Sequence, residues 1–74
     1  MNTERIIKMA NDIGDFFNSE SDKVLAVESV KNHLAKFWDP RMRKTIITYC
    51  QNDGSQLHEL VRDAVKKLDP PSTK

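Results

Sequence analysis

Residues 33–44 read HLAKFWDPRMRK, and the Asp39-Pro40 pair at their centre decides the architecture. Proline has no backbone N–H and its ring holds φ at about −65°, which suits the first position of a helix and no interior one. Asp39, just ahead of it, can cap the free amides of Arg41 or Met42. A residue preceding proline is also driven out of helical geometry. One helix must therefore stop near Phe37 or Trp38 and another must start at Pro40.

Upstream of that corner, Val24, Val27, Val30, Leu34, Phe37 and Trp38 fall on one side of a helix, with Leu25 outside that side and Ser21 or Asp22 as its cap. VLAVESV does not alternate as a strand would, and its spacing of three to four continues through Leu34. Three valines are weak helix formers, so this segment depends on packing. Further back, Ile6, Ala10, Ile13 and Phe17 form a stripe, with Ile7 on one flank and Met9 and Phe16 on the other. Thr3 can serve as N-cap, and Gly14 costs about 1 kcal/mol against Ala inside a helix. Either something packs closely at Gly14 or it is an unselected residue at the edge of the core.

Downstream, Met42, Ile46, Ile47, Tyr49 and Cys50 make a wide apolar arc, with Arg43 projecting among them and Arg41, Lys44, Thr45 and Thr48 opposite. Gly54 reads as the left-handed residue that closes this helix. Ser55 is placed to cap a last helix carrying Leu57, Leu60, Val61, Ala64, Val65 and Leu68, which Asp69-Pro70-Pro71 stops. The expected fold is all-α, a small single-domain bundle of about four short helices near 4–18, 22–38, 40–52 and 56–68. Residues 1–74 form one helical domain in this reading, with 69–74 a frayed tail.

A chain of 74 residues, 38% apolar and 31% charged with a net charge of +1, suits a globular domain near the lower size limit for folding alone. Its apolar runs are far too short to span a bilayer, and MNTERIIKMANDIG has no signal-peptide core, so a cytoplasmic protein is expected. The single Cys50 sits in the apolar arc and reads as a small packed hydrophobe. A core this small, without a disulfide or an evident metal site, invites support from a partner or a second copy.

Little points to catalysis. His33, His58 and Cys50 share no metal-binding spacing, no glycine-rich phosphate loop is present, and Asp12 with Asp15 lie on a solvated face. No catalytic, cofactor-binding or metal residues are therefore assigned. Lys36, Arg41, Arg43 and Lys44 against Asp39 leave +3 around Phe37 and Trp38. Three readings fit: a roof over the core with solvated cations, a helix-turn-helix DNA reader, and a protein interface, whose anchors are enriched in Trp, Met and Arg. The chain's near-zero net charge argues against nucleic acid. Arg43, set among apolar side chains, would call for a carboxylate from elsewhere.

IIKMANDIGDFF (6–17), KFWDPRMR (36–43) and LVRDAVKKL (60–68) together resemble the delta subunit of soluble NAD-dependent, molybdenum- or tungsten-containing formate dehydrogenases. The similarity runs from Ile6 to Leu68, and KFWDPRMR is its specific part. Matching positions are Met9, Ala10, Asn11, Ile13, Gly14, Phe16 and Phe17, then Phe37 through Arg43. The resemblance implies a non-catalytic accessory subunit that binds the formate dehydrogenase alpha subunit and supports its assembly, cofactor loading or stability. It also implies that the molybdenum or tungsten pterin, iron-sulfur clusters, flavin and NAD all sit on other subunits. Candidate partner-binding residues are Phe37, Trp38, Arg41, Met42, Arg43, Lys44, Met9 and Phe16, with Asp39 and Pro40 as a structural cap. A DNA-binding regulator and a stand-alone homodimer are the alternatives.

Overall fold

Helix starts in the computed structural model, which describes residues 2–68, are set by polar side chains and one proline. There are four helices: α1 (Thr3–Phe17), α2 (Lys23–Phe37), α3 (Pro40–Asn52) and α4 (Glu59–Lys66). Asp22 takes the amides of Val24 and Leu25, and Asp39 takes that of Met42 at 2.9 Å with Pro40 as the first helical residue. The expected cap at Thr3 is corrected by one residue. Asn2 caps α1 by accepting from the Arg5 amide, and Thr3 is already helical. Both are good capping types, and the one further upstream leaves room for an extra helical residue.

Behind the corner, Trp38 is the extended C-cap of α2. At the end of α3, Asp53 is the C-cap and Gly54 follows it at φ 71°, the left-handed conformation expected of it.

The largest difference from expectation is at α4, which starts at Glu59 without help from Ser55. The Ser55 hydroxyl donates instead to Asp53 at 2.9 Å. The amides that an earlier helix start would need free are already engaged. Gln56 donates to the Tyr49 hydroxyl and His58 to Asn11 Oδ1, both at 2.9 Å, while Asn11 Nδ2 donates to the Gln56 carbonyl at 2.9 Å. One amide side chain on α1 thus holds both edges of the connection, and Leu57 between them is buried in the core.

The core combines Ile6, Ile7 and Ala10 of α1 with Val27, Val30 and Leu34 of α2, Ile46 and Ile47 of α3, and Val61, Ala64 and Val65 of α4. α1 and α4 each pack against all three other helices, and α4 packs chiefly on α2. Gly14 lies at a close approach of α1 and α4: a methyl group there would overlap Val61 Cγ2. Close packing therefore accounts for this glycine. α2 and α3 scarcely touch each other directly, so their mutual angle rests on the corner that joins them.

Two residues expected on the buried side of α2 are not there. Val24 is 68% exposed and Phe37 is 73% exposed, because they occupy the first and last turns, while the tightly covered span of the helix runs from Ala26 to Leu34.

Gly14→Ala sets helix propensity against packing. Propensity alone would stabilise α1 by about 1 kcal/mol, whereas forcing a methyl against Val61 costs about 1–3 kcal/mol. Urea unfolding is expected to show net destabilisation, with part recovered in Gly14→Ala/Val61→Ala. A more stable single variant would contradict the close crossing.

Candidate functional site

The corner sequence divides its aromatic pair between core and solvent. Phe37 ends α2 with its ring outward, whereas Trp38, extended beyond the last helical turn, turns inward and is 5% exposed. Trp38 therefore builds the core and offers a partner almost no surface. Which of the two adjacent rings goes inside follows from where the helix stops, a point that the apolar pattern alone does not resolve.

Arg43 projects from α3 toward the end of α2, where carbonyl groups lack helical partners. Its Nη1 donates to the carbonyl oxygens of Trp38 and of Ala35, the latter at 3.4 Å. A cation at a helix C-terminus also complements the dipole. The expected need for a carboxylate is met by backbone carbonyls within the chain, and these bonds help fix the α2–α3 corner. Met42 is half-buried against the core, whereas Arg41 and Lys44 are exposed on the outer side of α3. Asp39 and Pro40 have the capping roles expected of them.

Leading away from the corner, four rings form a continuous row across α1 and α2. Phe16 meets Phe17 edge-to-face with centroids 5.0 Å apart, Phe17 meets His33 at 6.2 Å, and His33 meets Phe37 at 4.8 Å. Phe17 packs against the core and His33 is half-buried, but the end members Phe16 and Phe37 are 76% and 73% exposed. Met9, two turns before Phe16 on the same side of α1, is 37% exposed. Aromatic pairs in such geometries contribute about 0.5–1.5 kcal/mol beyond area burial, which makes the row a preformed surface. Phe17 and His33 were not among the candidates; the Phe16-Phe17 doublet and the i, i+4 spacing of His33 and Phe37 are the signals that could have found them.

A concavity lies elsewhere, an open cleft of about 390 Å³ between Gly14, Asp15, Asn18, Lys23, His58 and Asp63. Several of its polar groups are already matched: His58 Nδ1 lies 2.9 Å from Asp15, and the Lys23 ammonium donates to the side chain and carbonyl of Asn18. Among the described residues, no three or more His, Cys, Asp or Glu side chains are grouped to hold a metal ion, and no helix is long and apolar enough to cross a membrane.

Fold and surface together define a small all-α protein presenting a preformed, largely exposed aromatic face beside a basic corner. The chain belongs to the NADH-dependent formate dehydrogenase delta subunit family (FdsD), whose model matches residues 5–65. That span contains most of α1, the corner, the whole aromatic row and most of α4. No curated protein and no solved structure matches the chain.

Because Arg43 bonds within its own chain, Arg43→Ala is expected to destabilise the isolated protein by about 1–2 kcal/mol, lowering its melting temperature by roughly 4–8 °C per kcal/mol. Arg43→Lys, which keeps the charge but not the planar fork, should fall between. An unchanged melting temperature for Arg43→Ala would show that its bonds to Trp38 and Ala35 do not hold the corner.

Proposed function

We propose that this chain is a cytoplasmic, non-catalytic accessory subunit that docks through its aromatic row onto the catalytic alpha subunit of formate dehydrogenase, supporting that subunit's assembly, cofactor loading or stability. In this reading the pterin-bound metal, iron-sulfur clusters, flavin and NAD belong to the partner subunits and receive no ligand from this chain. Its contribution is differential binding: a partner that prefers one conformation of the alpha subunit shifts the population only by that preference.

The observation that carries the proposal is the exposure of Phe16 and Phe37 at the two ends of one row of ring contacts. Isolated apolar side chains on a surface are ordinary, but contiguous aromatic patches mark interaction sites. Covering both rings would remove roughly 300 Å² from water, about 7 kcal/mol before association costs of about 4–15 kcal/mol. Two rings alone therefore do not make a stable complex. A standard interface buries about 800 Å² per partner, which requires the neighbouring surface as well, with Met9 on the α1 side and the basic corner on the other. The chain's net charge of only +1 favours a protein partner over duplex DNA.

Co-expression of the tagged chain with the alpha subunit tests the reading. Wild type is expected to co-purify with it, and Phe16→Ser/Phe37→Ser to lose most of that recovery while keeping its helical circular dichroism and a cooperative melt, at a temperature lowered by the loss of two ring contacts. Failure of wild type to bind, or undiminished recovery of the folded double variant, would contradict it.

A further inference from the structure

The row lies between two differently charged neighbourhoods, and that difference specifies the chemistry of what covers it. Toward the C-terminal half of α1, acidic groups have partners within the chain: Asp12 pairs with Lys8 at 3.1 Å, and Asp15 lies beside His58. Among the described residues these are the only close contacts between acidic and basic side chains. At the α2–α3 corner the cations have no such partner among the described residues. Lys36 immediately precedes Phe37 and is one turn from His33, Arg41 is the second residue of α3, and Lys44 follows Arg41 by one turn; all three are exposed. The only carboxylate in this stretch, Asp39, is already bonded to the Met42 amide. The fourth cation, Arg43, is held by backbone carbonyls. Residues 36–44, which include Phe37, thus carry a net +3 on a chain whose total charge is only +1.

Resting on the docking role proposed above, we infer that the surface recognised is an apolar groove with a carboxylate cluster at one end, on a protein partner. The groove takes Phe16 and Phe37, and the Asp and Glu side chains face Lys36, Arg41 and Lys44. Rings supply the buried area, while the cations fix which way round the row lies and speed the encounter. Opposite charges at an interface rim act mainly on association rate and register, and salt screens them. The polarity matters because a row of four rings has similar ends: Phe16 and Phe37 offer nearly equal apolar surface. Only the unmatched cations distinguish the two orientations.

Binding kinetics with purified alpha subunit at about 50 and 500 mM NaCl test this inference. For wild type, the association rate is expected to fall about tenfold or more between these salts. Lys36→Gln/Arg41→Gln/Lys44→Gln should associate about tenfold more slowly at low salt and lose most of the salt dependence, with dissociation little changed. Phe16→Ser/Phe37→Ser should dissociate faster at both salts. If the glutamine variant matches wild type in rate and salt slope while the serine variant is impaired, the acidic partner surface is wrong and the docking role stands. If the serine variant also binds normally, both fail. Wild-type retention of duplex DNA at 50 mM NaCl, abolished by the glutamine substitutions, would assign the cations to phosphate and overturn the inference. Concentration-dependent dimerisation abolished by Phe37→Ser would assign the row to a second copy and likewise overturn it.

Discussion

With no side chain at Gly14, the backbone of α1 can lie directly against Val61 of α4, and much of the remaining architecture depends on that approach. It brings Asn11, one turn earlier on α1, within reach of the connection before α4, where its amide bonds both Gln56 and His58. Those bonds hold Leu57 in the core and set where α4 begins. Because α1 and α4 are the two helices that touch every other, their separation positions α2 and α3 around them. Holding α1 in this place also brings its C-terminal Phe16-Phe17 pair to His33 and Phe37 of α2. A glycine that looks costly by helix propensity is thus tied, through backbone proximity, to the surface on the opposite side of α1.

The corner between α2 and α3 works differently. The two helices have little direct contact, and their junction is built from Asp39 capping one helix, Arg43 binding the carbonyls at the end of the other, and Trp38 filling the core beside them. One short sequence therefore performs two separable tasks. Trp38, Asp39, Pro40 and Arg43 make the turn, while Phe37, Lys36, Arg41 and Lys44 are left facing outward.

Local signals made much of this legible from sequence. The Asp39-Pro40 break, the cap at Asp22, the left-handed Gly54 and the apolar spacing of α1 and α3 each act within a few residues, so the helices they define match the structure closely. The start of α4 was not legible, because the groups that displace it, Asn11 and Tyr49, lie 45 and 7 residues from the Gln56 groups they bind. Periodicity correctly placed Leu34 and Val30 inside but misjudged Val24 and Phe37, since a helical stripe extends to the ends of a helix whether or not anything covers them. Among the candidate site residues, Phe16 and Phe37 are exposed, whereas Trp38 is buried in the core and Arg43 bonds the end of α2. The similarity in KFWDPRMR was informative about the family, while its division into structural and exposed residues required the helix ends to be located in three dimensions.

The central claim is that the aromatic row, rather than the charged outer face of α4, is the surface on which this chain meets its enzyme. Amide hydrogen exchange on the assembled formate dehydrogenase, compared with the free chain, addresses it directly because it reports on every backbone segment without altering one. The account predicts added protection at the C-terminal turns of α1, around residues 13–17, and of α2, around residues 33–37, with the corner following. Protection confined to residues 58–67, with those two turns unchanged, would contradict it.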